Sequence, residues 1–128
     1  ASSAAVVAGF EAQAADLHVV TALIRAVRTQ TSGVDVAELR QWRSVVADVP
    51  DVVTRVALIA DEDRARLIDL AGFRMALDPD VDFRPGVTVS TVLAVIEYAY
   101  RRWLLSTDQD VTLLDLIDAA IAAAPFDS

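Results

Sequence analysis

Residues Thr91–Ala124, TVLAVIEYAYRRWLLSTDQDVTLLDLIDAAIAAA, decide the fold. Apolar positions recur at helical spacing on both sides of a short polar turn, Ser106–Asp110, so the stretch reads as two helices. On the first, Val92, Ile96, Ala99 and Trp103 form one stripe, and Leu93, Tyr100 and Leu104 extend it round the helix. On the second, Leu113, Leu114, Leu116, Ile117, Ala120 and Ile121 leave only a narrow face for Asp115 and Asp118. A helix that is apolar over most of its circumference is buried over most of it. One core contact does not use that much surface in a small domain, and a partner subunit is the expected cover.

Upstream, the chain reads as further helices. Val6 to Gln30 carries Phe10, Leu17 and Ile24 at a seven-residue repeat, and Val6, Gln13, Val20 and Val27 at another, which predicts one long helix ended by Ser32-Gly33. Asp35 and Glu38 have the spacing of a capping box for a second helix. Leu39, Trp42, Val45, Val46 and Val49 form its apolar face, and Pro50 stops it. Residues 51–60 form a short amphipathic piece with an Asp51–Arg55 pair. The acids Asp61, Glu62 and Asp63 suit a new helix start, because negative charge complements the positive end of the helix dipole. Gly72 lies inside that helix, where it permits close helix packing. The stretch Asp78–Gly86, DPDVDFRPG, is a loop, and Thr88 or Ser90 is expected to cap the helix after it. No strand pattern competes. The expectation is one all-α domain over residues 1–128, a bundle of about six helices.

Composition sets the bounds. The chain has 128 residues, of which 55% are apolar, enough for a real hydrophobic core. No apolar run reaches the roughly 18 residues that span a bilayer. The start, ASSAAVVAGF, lacks the basic region of a signal peptide, so a cytoplasmic location is the default. There is no cysteine, which removes disulfides, thiol catalysis and thiolate metal sites. All eleven basic residues are Arg, and the Ala/Val/Asp/Arg bias is that of a GC-rich bacterial genome. The net charge of −8 is uneven: residues 1–77 hold ten acids and eight Arg, whereas residues 78–128 hold nine acids and three Arg. Such a domain repels phosphate backbones and anionic membranes.

Chemical motifs are sparse. Asp78, Asp80 and Asp82 alternate as at the start of a calcium loop, but Phe83 stands where glycine is required and Val89 where the bidentate Glu belongs. His18 is the only histidine, so no multi-histidine metal site and no Ser-His-Asp arrangement exists. It either lines a cavity or is an ordinary half-buried helix residue. Trp42, Phe73, Met75, Tyr98 and Trp103 lie on different helices, and they either line an apolar pocket or fill the core. Arg101 has the spacing to pair with Glu97, while Arg102 faces a pocket, an interface or solvent. No catalytic residue, metal site or cofactor is expected.

The order of elements resembles the C-terminal domain of a TetR-family transcriptional regulator. The stretch PDVVTRVALIADEDRARLIDLAGFRMAL is similar to the family's middle helices with their LIA-acidic break. After the loop DPDVDFRPG, VLAVIEYAYRRWLLSTDQDVTLLDLIDAAIAAA resembles the last two helices, with RWL, a polar turn and an LLD helix. The resemblance implies a homodimer whose last two helices pair with their twofold mates in a four-helix bundle. Leu93, Tyr100, Leu104, Leu113, Leu116, Ile117, Ala120 and Ile121 are the residues expected at that interface. It also implies a pocket for a small apolar or amphipathic effector, with His18, Trp42, Phe73, Met75, Tyr98, Arg102 and Trp103 as candidate ligand-binding residues. Such a regulator reads DNA through an N-terminal helix-turn-helix domain that these residues do not include. The expectation is therefore an effector-binding domain that touches DNA only through another domain and touches no membrane.

Two other readings remain at this point. One is a helical protein–protein interaction module without a ligand pocket. The other is a small helical enzyme that gathers Arg25, Arg28, Arg101 and Arg102 around a dicarboxylate.

Overall fold

The computed structural model describes residues 3–32, 36–48, 59–108 and 110–126. Six helices and no strand are found among them: α1 Ser3–Glu11, α2 Val19–Ser32, α3 Val36–Asp48, α4 Asp61–Met75, α5 Arg84–Leu105 and α6 Leu113–Ala123. The all-α architecture is as expected. The Asp35 cap, Gly33, the Pro50 stop and the Asp51–Arg55 pair lie outside the described residues.

α5 is the axis of the fold. Its 22 residues span about 33 Å. It touches α2, α3, α4 and α6, while α1 packs on α2 and α4. Val89, Val92, Leu93, Ile96, Ala99, Trp103 and Leu104 point from α5 into the core. Phe10, Leu23, Leu67 and Ile117 meet them from the surrounding helices. No buried polar or charged residue interrupts this core among the described residues.

The long first helix is instead two. α1 ends at Glu11 and α2 begins at Val19, although the apolar repeat runs through the break. Phe10 is buried while Leu17 and Ile24 are half-buried against the same core, reached from two directions. His18 supplies the restart. Its carbonyl accepts from Ala22 N–H at 2.9 Å, and its Nδ1 accepts from Val20 N–H at 3.2 Å, as an N-cap side chain does. Arg74 of α4 closes the other side of the break, donating to the carbonyls of Phe10, Gln13, Ala14 and Leu17.

α4 starts where the acidic triplet places it, with Asp61, Glu62 and Asp63 in its first turn. It ends in a left-handed turn at Ala76, φ 57°. Leu77 N–H reaches Gly72 C=O at 2.9 Å and Ala76 N–H reaches Phe73 C=O at 3.3 Å, the paired bonds of a Schellman end. Gly72 makes room for this loop and not for a neighbouring helix: a Cβ there would lie 2.8 Å from the Leu77 carbonyl oxygen and 2.9 Å from Pro79 Cδ.

α5 begins at Arg84, earlier than Thr88 or Ser90. Pro85 in the first turn is preset for the helix, and the Asp82 side chain accepts from Arg84 N–H at 2.9 Å. α3 covers the far end of α5 through Arg43. Its guanidinium donates to the carbonyls of Ser106 and Asp108 and lies 5.1 Å from the Trp103 ring centroid. Val45, expected on the apolar face of α3, is exposed, because Arg43 takes the inward place. α6 opens with a capping box in which Thr112 Oγ1 accepts from Asp115 N–H at 3.1 Å and Asp115 accepts from Thr112 N–H at 3.4 Å.

Candidate functional site

A groove of about 650 Å³ runs between α4 and α5. Ile68 of α4 and Pro79 of the following loop form one wall. Phe83, Gly86 and Val87 form the upper part of the other, and Ser90, Thr91, Ala94 and Val95 continue it down α5. The lining carries no charge. Its hydroxyls belong to Ser90 and Thr91, and that of Thr91 is engaged with the Val87 carbonyl at 2.7 Å. Beyond Ile68 and Val95, the same two helices are joined by an Arg64–Glu97 ion pair at 3.4 Å. Glu97 therefore pairs across the helices and not with Arg101, which is exposed. At the upper end, Asp82 grips Arg84 through both carboxylate oxygens, at 3.0 and 2.6 Å. Hydrogen bonding to Arg84 holds the Asp82 carboxyl down at about 2.

The groove opens onto a stripe that sequence reasoning did not single out. Val87, Thr91, Ala94, Tyr98, Arg101 and Leu105 follow one another at intervals of four and three residues, and all six are exposed. Val87 is 60% exposed, Tyr98 58% and Leu105 59%. This is heptad spacing on the outer face of a helix whose inner face already fills the core. The signal lay in the sequence, but it was hidden by a second apolar stripe one residue away. Leu93 belongs to the core and Ala94 to the surface.

The residues expected at a subunit interface do not lie on this stripe, Tyr100 and those of α6 included. Leu93, Leu104, Leu113 and Ile117 are buried within the chain, Leu93 completely, so none of them has surface left for a partner. Tyr100, Leu116, Ala120 and Ile121 are half-buried and pack against the same core.

The expected ligand-binding residues do not converge. His18 is an exposed cap on α2. Phe73 is 88% exposed at the end of α4, while Met75 is half-buried at the edge of the core. Tyr98 is exposed beneath the Arg102 guanidinium at 5.9 Å, and Arg102 is itself exposed. Trp103 is core, with the Tyr100 ring 6.2 Å away. The side chain of Trp42 lies outside the described residues. None of the six described residues lines the groove, although Tyr98 belongs to the stripe beside it. The arginines do not gather either, since Arg28 pairs with Asp118 of α6 at 2.9 Å.

The aspartates of the α4–α5 loop serve the backbone. Asp78 accepts from Asp80 N–H and Asp82 from Arg84 N–H, each at 2.9 Å. No group of three or more metal-ligating side chains occurs among the described residues. No helix among them is long and apolar enough to cross a membrane.

No family model, curated protein or solved structure matches the chain.

Proposed function

We propose that this chain is the effector-binding and dimerisation domain of a TetR-like transcriptional regulator. It takes a small apolar or amphipathic ligand in the α4–α5 groove and forms a homodimer through the exposed face of α5. The observation that carries this reading is the surplus apolar surface of α5. One face fills the core, and another still presents Val87, Ala94, Tyr98 and Leu105 to solvent beside an uncharged groove. The groove volume falls in the usual range for small-ligand sites, roughly 300–1,000 Å³. The helix order, ending in a long helix, a polar turn and a short apolar helix, is the order that the resemblance implies.

In this reading the ligand acts by binding one arrangement of the subunits better than another. Operator contact belongs to a helix-turn-helix domain outside these residues, and the net charge of −8 keeps this domain off the phosphate backbone. The protein works in the bacterial cytoplasm. A thermal-shift series with medium-chain fatty acids and substituted naphthalenes tests the role. A Tm rise that saturates with concentration supports it, and indifference to both classes counts against it.

A second reading is favoured by the openness of the groove. The four-and-three spacing of the α5 stripe suits a partner helix as well as a small ligand, so a helical interaction module would use the same surface. It predicts a monomer in isolation that answers to no small compound.

A further inference from the structure

Each end of the α4–α5 groove is flanked by an arginine, and the two are held differently. At the upper end, both carboxylate oxygens of Asp82 take Arg84, at 3.0 and 2.6 Å. At the lower end, Arg64 lies one turn before Ile68 on the same face of α4. Its guanidinium makes a single contact among the described residues, from Nη2 to Glu97 Oε1 at 3.4 Å. The adjacent Nε is buried without an acceptor, the one such side-chain atom among the described residues. A buried donor left unpaired is costly. Nε and Nη2 together form a guanidinium edge that suits a carboxylate held by two bonds. Glu97 meets that edge at Nη2 only.

We propose that this edge of Arg64 anchors the ligand of the groove, an apolar chain ending in one carboxylate, and that the ligand's acid displaces Glu97. This rests on the effector-binding reading above and names the ligand class and the residue that selects it. Glu97 has a second cation within reach. Arg101 lies four residues further along α5, the spacing of a helical ion pair, and is exposed with no carboxylate partner among the described residues. Arg64, Glu97 and Arg101 together hold two cations and one anion, and the ligand's carboxylate brings them to two and two. The acid moves onto Arg64, and Glu97 swings from Arg64 to Arg101. Chain length follows from the helix. Gly86 to Val95 spans about 14 Å of α5, so an acid at Arg64 sends its chain past Val95, Ala94 and Thr91 toward Pro79 and Phe83. A medium-length alkyl chain covers that distance. A neutral amphiphile gains the same apolar contacts but leaves Nε unpaired.

The test uses the intact chain with decanoate and decanol, probes that share an alkyl chain and differ in the acid. Calorimetry gives both affinities, and their ratio is the readout, because a change in the groove or in the subunit count moves the two together. The expected result is that wild type prefers decanoate by about ten-fold. Arg64→Gln should abolish the preference and leave decanol binding in place. Glu97→Gln removes the competing anion and should tighten decanoate alone, by about three-fold. Arg101→Gln should weaken decanoate alone, because Glu97 then has no cation to move to. Ala94→Trp fills the groove and should weaken both probes. A cooperative melt establishes that each variant is folded, and Glu97→Gln carries the test if Arg64→Gln is not. Equal affinity for the two probes, both weakened by Ala94→Trp, overturns the acid anchor while leaving the effector groove standing. A decanoate preference that Glu97→Gln does not raise, and that survives in a folded Arg64→Gln, overturns the assignment to Arg64. Binding of neither probe, with no effector shift from naphthalenes, removes both the anchor and the effector reading.

Discussion

The Arg74 guanidinium lies 5.4 Å from the centroid of the Phe10 ring and donates to the Phe10 carbonyl at 3.4 Å. The same side chain donates to Gln13, Ala14 and Leu17, so one residue at the end of α4 collects the loose carbonyls of the α1–α2 turn. A helix end leaves its last carbonyls without intrahelical partners, and here a cation from another helix satisfies them. Arg74→Gln should therefore destabilise the chain by about 1.5–3 kcal/mol, the range for hydrogen bonds to a charged group. Arg74→Lys should recover little of this, because an ammonium lacks the planar fork that spans several acceptors. Urea unfolding gives the magnitude. Hydrogen exchange gives the place, with loss of protection over residues 12–18 ahead of α5.

The burial of Ile117 against the half-burial of Leu116 separates core from surface on α6. Ile117→Ala should cost about 2–5 kcal/mol, as truncation of a buried aliphatic residue does. Leu116→Ala should cost clearly less. Neither change should alter the subunit count at concentrations where the protein stays folded, because neither residue lies on the exposed α5 stripe. A change of mass caused by Ile117→Ala without unfolding would restore α6 to the interface.

Ala76 holds a left-handed conformation, φ 57° and ψ 41°, at the end of α4. A side chain there costs about 1–2 kcal/mol relative to a residue without Cβ. Ala76→Gly should therefore raise stability, by about 1 kcal/mol after the greater freedom of glycine in the unfolded chain is counted. A lower urea midpoint for this variant would show that the Schellman end is not formed.

Asp82 gives the clearest pH signature. Its folded value is lowered from the usual 3.8 to about 2, chiefly by the side-chain hydrogen bond with Arg84. Its contribution to the start of α5 is therefore fully present above about pH 4 and is lost as the pH falls through about 2. Carboxyl-carbon NMR should find Asp82 titrating well below the ordinary aspartate range. Replacing Arg84 with Gln should return it to the ordinary range near 4. An Asp82 that titrates near 4 in the wild type would contradict the bidentate contact.

Parts of this structure were plain in the sequence. The acidic triplet marks the start of α4, the polar turn divides α5 from α6, and the absence of strand alternation gives the fold class. Three features were not legible, each for a physical reason. The break between α1 and α2 is hidden because Phe10, Leu17 and Ile24 keep their repeat while turning with the chain, and the cap at His18 carries no common capping side chain. The start of α5 is hidden because Pro85 and the aspartates before it read as loop, although proline is at home in a first helical turn. The free face of α5 is hidden because both of its stripes are apolar. Periodicity shows that such a helix is wanted on two sides, but only the packing of Leu93, Ile96 and Trp103 shows which side is already filled. Which of the large residues line a pocket and which fill the core was open for a related reason: periodicity does not show which helices converge, and the groove is lined by residues of α5 together with Ile68, Pro79 and Phe83.

The most direct test is the mass of the intact chain in solution, measured by light scattering over a wide concentration range with Leu105→Asp beside the wild type. A wild-type mass of about twice 13.8 kDa, falling to 13.8 kDa in folded Leu105→Asp, is the expected result. A wild type that stays at 13.8 kDa at every concentration would contradict the proposed dimer.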